Sequence, residues 1–138
     1  YGIGYASGGA SDITEFKARG LADKFLGKDG QKVAELATFS QSNWGLMPSG
    51  KALVFVNNHD TQRGDGILWS EGNSARLANV FLLAQPYGYP MIMSGYSFDR
   101  ASGAGRDGGP PAGAGGAPGG PACASDPATA PNGVWLCE

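Results

Sequence analysis

The sequence lacks a cluster of basic residues, a long apolar run and all but one histidine. Its 138 residues carry ten basic and twelve acidic side chains, for a formal net charge of -2 at pH 7, so no surface for nucleic acid is expected. No stretch approaches the roughly eighteen apolar residues of a membrane-spanning helix, and the first residues, YGIGYASGGA, do not resemble a signal peptide. We therefore expect neither nucleic acid nor a membrane as a partner, and the abrupt ends at Tyr1 and Glu138 favour a piece of a longer polypeptide.

Cysteine is nearly as scarce, since Cys123 and Cys137 are the only two. A disulfide between them would close a short loop and stabilise the fold by roughly 3 kcal/mol in the loop-entropy model. The alternative is two free thiols in a reducing compartment. One histidine and two cysteines are too few for a structural zinc site. Glycine, by contrast, is abundant at 24 residues, and its concentration with proline over 101–120 predicts a loop or linker.

The hydrophobic pattern predicts alternating strands and helices. Short strands are expected at 13–16, 52–56 and 91–94, and helices at 20–25, 31–39 and 74–85. In the last helix Leu77, Val80, Phe81 and Ala84 share one face, which is typical of an amphipathic helix. This order predicts an α/β fold with parallel neighbouring strands, in which ligand chemistry gathers at the carboxyl ends of the strands.

The segment FVNNHDTQRGDG, residues 55–66, lies at such a strand end. It brings the single histidine, His59, beside the carboxylate of Asp60. The pair is compatible with a helix cap or solvated turn, or with a metal site, although two ligands are few. A Ser-His-Asp triad would need an activated serine, and no G-x-S-x-G turn is present. The fourth interpretation is carbohydrate chemistry, in which carboxylates and neutral polar groups hold sugar hydroxyls.

The segment ALVFVNNHDTQRG, residues 52–64, resembles the last signature block of the α-amylase family of glycoside hydrolases. In that block an apolar strand delivers an Asn-His-Asp triplet to the active site. The resemblance is closest to the animal-type enzymes and their bacterial relatives, and it is weakest across 101–122. Further segments match in the same order: ITEF at 13–16, NWGLMPSGKALVFV at 43–56, QPYGYP at 85–90, MIMSGYSF at 91–98 and GVWLCE at 133–138.

The resemblance implies a partial (β/α)8 TIM barrel, to which this chain contributes approximately strands six to eight with the intervening helices. Residues 1–100 would form the C-terminal portion of the catalytic barrel. Residues 101–138 would form a Gly/Pro-rich loop and a disulfide-closed tail of the same domain. A whole barrel takes about 250 residues. Because three strands of eight leave edges unpaired, we expect the chain alone to be inactive and poorly folded.

The resemblance also implies roles for individual residues. Asp60 matches the catalytic aspartate that stabilises the oxocarbenium-like transition state without attacking, and His59 and Asp60 match substrate-binding residues of the cleavage subsite. The nucleophile and the acid/base residue would lie upstream, on the fourth and fifth strands. Asn58 matches a chloride ligand, but Met91 stands where that role requires arginine or lysine, so chloride activation is not expected. Glu15 has no catalytic counterpart and is expected to be structural.

The implied parent is a secreted, monomeric, retaining α-amylase. It would hydrolyse internal α-1,4-glucosidic bonds in α-glucan polysaccharides such as starch and glycogen, or in maltooligosaccharides. Its structural calcium would be held by ligands outside this chain, so no metal ligand is expected here. A disulfide near the chain end in the family matches Cys123 and Cys137 and implies an extracellular parent. The alternatives are a related glucosyl transferase or isomerase, a non-catalytic carbohydrate-binding member, and a short α/β binding protein.

Overall fold

The structure, a computed structural model, describes residues 12–64, 66–67, 69–93, 95–98 and 135–136. Five short strands and three α-helices lie within these ranges, joined by 3₁₀ turns. The strands are β1 (Ile13–Thr14), β2 (Ala52–Val54), β3 (Tyr89–Pro90), β4 (Gly95–Tyr96) and β5 (Trp135–Leu136). The α-helices are α1 (Gly20–Leu26), α2 (Gln41–Trp44) and α3 (Asn73–Ala84). The 3₁₀ helices are Phe16–Arg19, Lys28–Gly30, Val33–Thr38, Ser49–Lys51, Thr61–Arg63 and Trp69–Glu71.

The first three strands form one parallel sheet in chain order, β1-β2-β3. Thr14 pairs with Leu53 across the first ladder, and Leu53 pairs with Tyr89 across the second. Parallel strands that follow one another in sequence and in space are the α/β arrangement that the sequence predicts, and this coarse prediction is confirmed. The assignment of these strands to approximately positions six to eight of a barrel stays a prediction.

The third strand begins earlier than the sequence pattern predicts. It is Tyr89–Pro90, and the described residues of 91–94 are not in a strand, so the prediction of 91–94 is wrong. The reason lies at Gly88, whose φ of 73° turns the chain directly onto β2. A Cβ at this position would lie 2.9 Å from the Ala52 carbonyl oxygen, so only glycine permits the approach that sets the register.

Two of the three predicted helices are α-helices at nearly the predicted positions, and the third is a 3₁₀ helix. The expected helix 20–25 is α1, and the expected helix 74–85 is α3, displaced by one residue. The segment 31–39 forms a 3₁₀ helix, Val33–Thr38, in place of an α-helix. One reason is local, since the Thr38 hydroxyl donates to the Glu35 carbonyl at 2.8 Å and competes for a backbone acceptor.

The buried face of α3 differs from the predicted one. The helix packs on α1 and buries Ala75, Ala78 and Leu82, while Leu77 and Val80 are 54% and 59% exposed. Of the four residues predicted to share the apolar face, Leu77, Val80 and Ala84 are exposed, whereas Phe81 is partly buried and packs against the core, so the prediction is right for Phe81 alone.

The core lies between the parallel sheet and the helices, and it includes residues of β2. Ala52 and Val54 of β2 are buried and Leu53 is half-buried, and Phe55 and Val56, which follow the strand, are buried as well. Phe39 contributes edge-on ring contacts, including Trp44 at 4.9 Å between centroids and Tyr87 at 5.7 Å. The buried apolar cluster comprises Ala18, Leu21, Ala22, Leu36, Leu46, Ala52, Val54, Val56, Ile67, Ala75, Ala78, Leu82 and Tyr87.

A second, two-stranded sheet pairs β4 with β5 in antiparallel orientation, with Tyr96 opposite Trp135. Of the tail predicted over 101–138, only Trp135 and Leu136 are among the described residues. The predicted Gly/Pro-rich loop and the Cys123–Cys137 disulfide lie outside them and stay predictions. Among the described residues no helix has the length and apolarity needed to cross a membrane.

Candidate active site

The polar segment that follows β2 projects from the buried sheet into solvent. Phe55 and Val56 are buried, whereas the His59 and Asp60 side chains are 77% and 76% exposed. Since β2 has parallel neighbours on both sides, this segment lies at the carboxyl edge of the sheet. The sequence places its two candidate site residues at that edge, and the structure shows their side chains accessible there.

His59 and Asp60 lie next to each other in space as well as in sequence. The distance from His59 Nε2 to Asp60 Oδ1 is 3.5 Å, and both groups face water. An exposed pair of this kind contributes little to stability. Their polar atoms are therefore available to a ligand with hydroxyl groups, which can accept a bond from the imidazole and donate one to the carboxylate.

The backbone beneath this pair is held by Asn58 and Thr61, which bond to each other reciprocally. The Asn58 N–H donates to Thr61 Oγ1 at 2.8 Å. In the other direction, Asn58 Oδ1 accepts from the N–H groups of Asp60 at 3.1 Å and Thr61 at 2.9 Å. We refer to these three hydrogen bonds as the Asn58–Thr61 clasp. Thr61 was not among the site residues expected from the sequence, although the Asn-x-x-Thr spacing is a signal for such a turn.

Contacts further along the loop tie it to the rest of the fold. The Asn57 side-chain amide donates to the Ile67 carbonyl at 3.2 Å. Arg63 Nη2 donates to the Tyr96 hydroxyl at 2.9 Å, which links the loop to β4. Gln62 is only 6% exposed and lies against Gly95. A Cβ added to Gly95 would be 3.3 Å from the Nε2 of Gln62. Asp65 is outside the described residues.

Glu15 is a second carboxylate at the same edge of the sheet, and it is buried at 8% exposure. Its Oε1 accepts from the Lys17 N–H at 2.9 Å, and its Oε2 accepts from the Met47 N–H at 2.8 Å. Both oxygens are therefore bound by backbone donors. This arrangement caps the turn after β1 and gives Glu15 a structural role.

The aromatic residues Trp44 and Tyr87 are packed within the fold. Tyr87 is 6% exposed and its hydroxyl donates to the Met47 carbonyl at 2.8 Å. Burial, with a smaller contribution from the charge of Glu15, raises the pKa of Tyr87 to about 12. The Trp44 indole N–H donates to Thr38 Oγ1 at 3.2 Å, and Lys24 Nζ lies 5.4 Å from the centre of its ring. Tyr87 is therefore too buried to stack on a sugar, and Trp44 is half-buried with the edge-on Phe39 ring and Lys24 beside it.

Metal ligands do not converge within the part of the chain that the structure describes. No group of three or more His, Cys, Asp or Glu side chains is arranged there to hold an ion. His59 and Asp60 alone would supply two ligands, which is fewer than stable protein metal sites use. The exposed pair is thus better suited to hydrogen bonding than to metal binding.

Comparison with known proteins relates the chain to α-amylases. It is 41% identical over 104 residues to an α-amylase of Streptomyces violaceus, a match that covers 75% of this chain and 17% of the relative. It is 43% identical over 93 residues to an α-amylase of Aeromonas hydrophila, covering 64% of this chain and 20% of the relative. Pancreatic α-amylase 2a5 of Mus musculus is 37% identical over 106 residues, with 72% of this chain and 21% of the relative covered. No family model matches the chain.

Solved structures show the same relationship. The crystal structure of wild-type α-amylase I from Eisenia fetida superposes with a TM-score of 0.79 at 32% identity, covering 99% of this chain and 28% of that one. A mutant of that enzyme, solved with maltohexaose, also gives a TM-score of 0.79 and covers 28% of its chain. The resemblance predicted from the Asn-His-Asp block is confirmed in sequence and in fold. The chain spans about a fifth of the length of the relatives it matches, from 17% to 21%.

Proposed function

We propose that this chain is part of an α-amylase, and that the parent protein hydrolyses internal α-1,4-glucosidic bonds of starch or glycogen with retention of configuration. By parent protein we mean the natural polypeptide that contains this chain. One observation carries the proposal: the segment that resembles the α-amylases presents His59 and Asp60, exposed, at the carboxyl edge of a parallel sheet. In barrel enzymes built from such strands, the active site lies at that edge.

Asp60 is assigned the role of stabilising positive charge in the transition state. A retaining glycosidase needs one carboxyl group to attack the sugar and another to protonate the leaving oxygen. Within this chain, Glu15 is bound by two backbone N–H groups and is not free for either task. We assign the nucleophile and the acid/base residue to strands four and five of the parent barrel, and the strands of this chain to approximately strands six to eight.

His59 is assigned to binding the same sugar unit as Asp60. Its imidazole lies 3.5 Å from the Asp60 carboxylate, so one sugar ring can reach both. The imidazole and the carboxylate together offer a donor and acceptors to neighbouring hydroxyl groups. Hydrogen bonds that strengthen as charge develops on the sugar lower the barrier, and losing such a group commonly costs several kcal/mol.

The residues of this chain do not fit the two ions associated with the family. The described residues contain no cluster of three metal ligands, and we assign the calcium ligands of the parent to regions outside this chain. For chloride, Asn58 uses its Oδ1 to accept two backbone N–H groups. Met91, where a positive charge would be needed, is uncharged and 55% exposed. We therefore propose that chloride takes no part in the reaction.

The parent is proposed to act as a secreted monomer on α-glucan polysaccharide or maltooligosaccharides, without nucleic acid or membrane partners. The balance of ten basic and twelve acidic residues supports the absence of a nucleic-acid surface. The disulfide predicted between Cys123 and Cys137 supports an oxidising compartment. A mass shift of the tail peptides on reduction and alkylation of the natural protein checks that pairing.

The test is to isolate the parent protein, determine its intact mass and upstream sequence, and incubate it with soluble starch. We expect a longer polypeptide with an aspartate and a glutamate at the ends of two upstream strands, and rapid loss of starch chain length. Transfer of glucosyl units between maltooligosaccharides without net hydrolysis would instead establish a transferase. Tight binding of maltooligosaccharides with no new reducing ends would establish a non-catalytic binding protein.

A further inference from the structure

The exposed pair at the candidate site depends on its backbone for its position. Three quarters or more of the His59 and Asp60 side chains is exposed, and their mutual contact is a single 3.5 Å approach. Side chains so weakly held by neighbours are oriented mainly by the main chain that carries them. The groups that fix this main chain are therefore the ones that decide where the carboxylate and the imidazole point.

The Asn58–Thr61 clasp supplies that control. Its three hydrogen bonds bracket His59 and Asp60 from both sides, with Thr61 Oγ1 accepting from Asn58 N and Asn58 Oδ1 accepting from Asp60 N and Thr61 N. The Gln62 N–H adds a backbone bond to the Asn58 carbonyl at 2.9 Å. With these bonds in place, the two site residues lie at the apex of a closed turn.

The Thr61 end of the clasp is fixed in the interior. Thr61 is 8% exposed, and its carbonyl accepts from the Gly66 N–H at 2.8 Å. The chain passes so close at Gly66 that a Cβ there would lie 2.7 Å from the Thr61 carbonyl oxygen. Because Thr61 cannot shift without displacing this segment, its hydroxyl is a rigid reference point for the exposed turn.

We propose that Thr61, acting through Asn58, is a positioning residue that holds Asp60 and His59 in the geometry that transition-state stabilisation requires. This inference rests on the proposed function, since it assigns Thr61 a part in the same site. Thr61 is buried, and the proposal assigns it no contact with substrate. A misplacement of about 1 Å at a catalytic group can cost about 100-fold in rate, so loss of the hydroxyl is expected to lower kcat more than it raises KM.

The test compares three variants of the parent protein. Thr61→Val keeps the branched shape and removes the hydroxyl, whereas Thr61→Ser keeps the hydroxyl. Thr38→Val is the matched control, because Thr38 also uses its hydroxyl twice, toward the Glu35 carbonyl and the Trp44 indole, away from the loop. Two measurements are made on each: kcat and KM for maltohexaose, and hydrogen exchange by mass spectrometry of the peptide spanning 57–64.

For Thr61→Val we expect kcat to fall about tenfold or more, KM to change by less than about threefold, and exchange in 57–64 to accelerate about tenfold. Thr61→Ser restores all three to within about threefold of the wild type, and Thr38→Val leaves them unchanged. Faster exchange with an unchanged kcat would overturn the proposal, because the clasp would then be a structural cap only. Unchanged exchange in Thr61→Val would overturn it too, since the hydroxyl would not be holding the turn.

Failure of the proposed function has a different signature. A wild-type parent that forms no new reducing ends from maltohexaose would refute the assignment as a hydrolase, and with it the catalytic part of the positioning role. The exchange measurement does not use activity, so it still shows whether Thr61 holds the turn. An active wild type with an unaffected Thr61→Val variant refutes the positioning role alone.

Discussion

The carboxylate of Glu15 accepts a hydrogen bond from the backbone N–H of Met47 at 2.8 Å, across 32 residues of sequence. The same carboxylate caps the turn after β1 through the Lys17 N–H. The end of β1 is thereby joined to the loop that leads into β2. A buried carboxylate with both oxygens bound by main-chain donors serves the fold, and this separates Glu15 from the exposed Asp60 at the same edge.

Replacement of Glu15 by glutamine is expected to destabilise the parent protein by about 1–3 kcal/mol. The amide nitrogen would face a backbone N–H, so at least one donor would lose its acceptor. Urea unfolding measures the change, with the exposed Glu71→Gln as the matched control. The kcat of the folded variant should stay within about twofold of wild type; a much larger loss with intact folding would show that Glu15 takes part in the chemistry.

Replacement of Asp60 by asparagine is expected to reduce kcat of the parent protein by about 100-fold or more, with little change in its unfolding midpoint. The side chain is 76% exposed, so its removal costs the fold little, while the charge that we assign to stabilising the transition state is lost. Asp12→Asn is the control, because Asp12 is exposed and precedes β1, at the opposite edge of the sheet. Equal kcat values for the two variants would refute the role assigned to Asp60.

Stability at alkaline pH is expected to depend on Tyr87. In the unfolded chain a tyrosine ionises near pH 10, whereas burial raises the pKa of Tyr87 in the fold to about 12. Below pH 10 both states hold the proton and Tyr87 contributes no pH dependence. As pH rises from about 10 to about 12, the unfolded state releases a proton that the folded state retains, so the free energy of unfolding falls.

The Tyr87→Phe variant should lose this part of the alkaline destabilisation. Unfolding curves of both proteins, recorded at intervals across this pH range, should converge as pH rises, because the wild type loses stability faster. At neutral pH the variant is expected to be less stable by about 0.5–1.5 kcal/mol, through loss of the bond to the Met47 carbonyl. Parallel curves would mean that Tyr87 ionises alike in both states.

Two glycines with similar positive φ angles should respond very differently to alanine. Gly88 and Gly30 have φ values of 73° and 77°. A Cβ at Gly88 would meet the Ala52 carbonyl oxygen and Val54 Cγ1 at 2.9 Å, while one at Gly30 meets nothing within 4 Å. Gly30→Ala is expected to cost about 1–2 kcal/mol from the backbone alone. Gly88→Ala adds about 1–3 kcal/mol from overpacking; equal costs would show that the pairing of β2 and β3 tolerates displacement.

The sequence predicts elements well where one segment carries its own signal. The run Ala52–Val56 is apolar on both faces, and 74–85 has a helical period with Pro86 after it, so β2 and α3 are recognised. The two-residue strand β1 lies within the predicted 13–16, but β3, β4 and β5 carry no such signal, because each is defined by the strand that pairs with it. The start of β3 depends on how Gly88 passes over Ala52, a contact that no local pattern records.

In the candidate site too, some residues can be recognised from the sequence and others only from the fold. His59 and Asp60 stand out in the sequence as a rare residue beside a carboxylate after a buried strand, and the family resemblance gives them roles. Thr61 is inconspicuous there. Its importance follows from a reciprocal pair of hydrogen bonds and from the close passage of Gly66, both of which depend on the folded path of the chain.

The most direct test of the central claim is the configuration of the first product that the parent protein releases from maltohexaose. Proton NMR, recorded before the sugar anomers equilibrate, distinguishes the two forms at the new reducing end. An α-amylase that carries Asp60 beside a nucleophile and an acid/base residue predicts internal cleavage with the α-anomer appearing first, and loss of this product in Asp60→Asn. Release of the β-anomer, or undiminished cleavage by Asp60→Asn, would contradict the account.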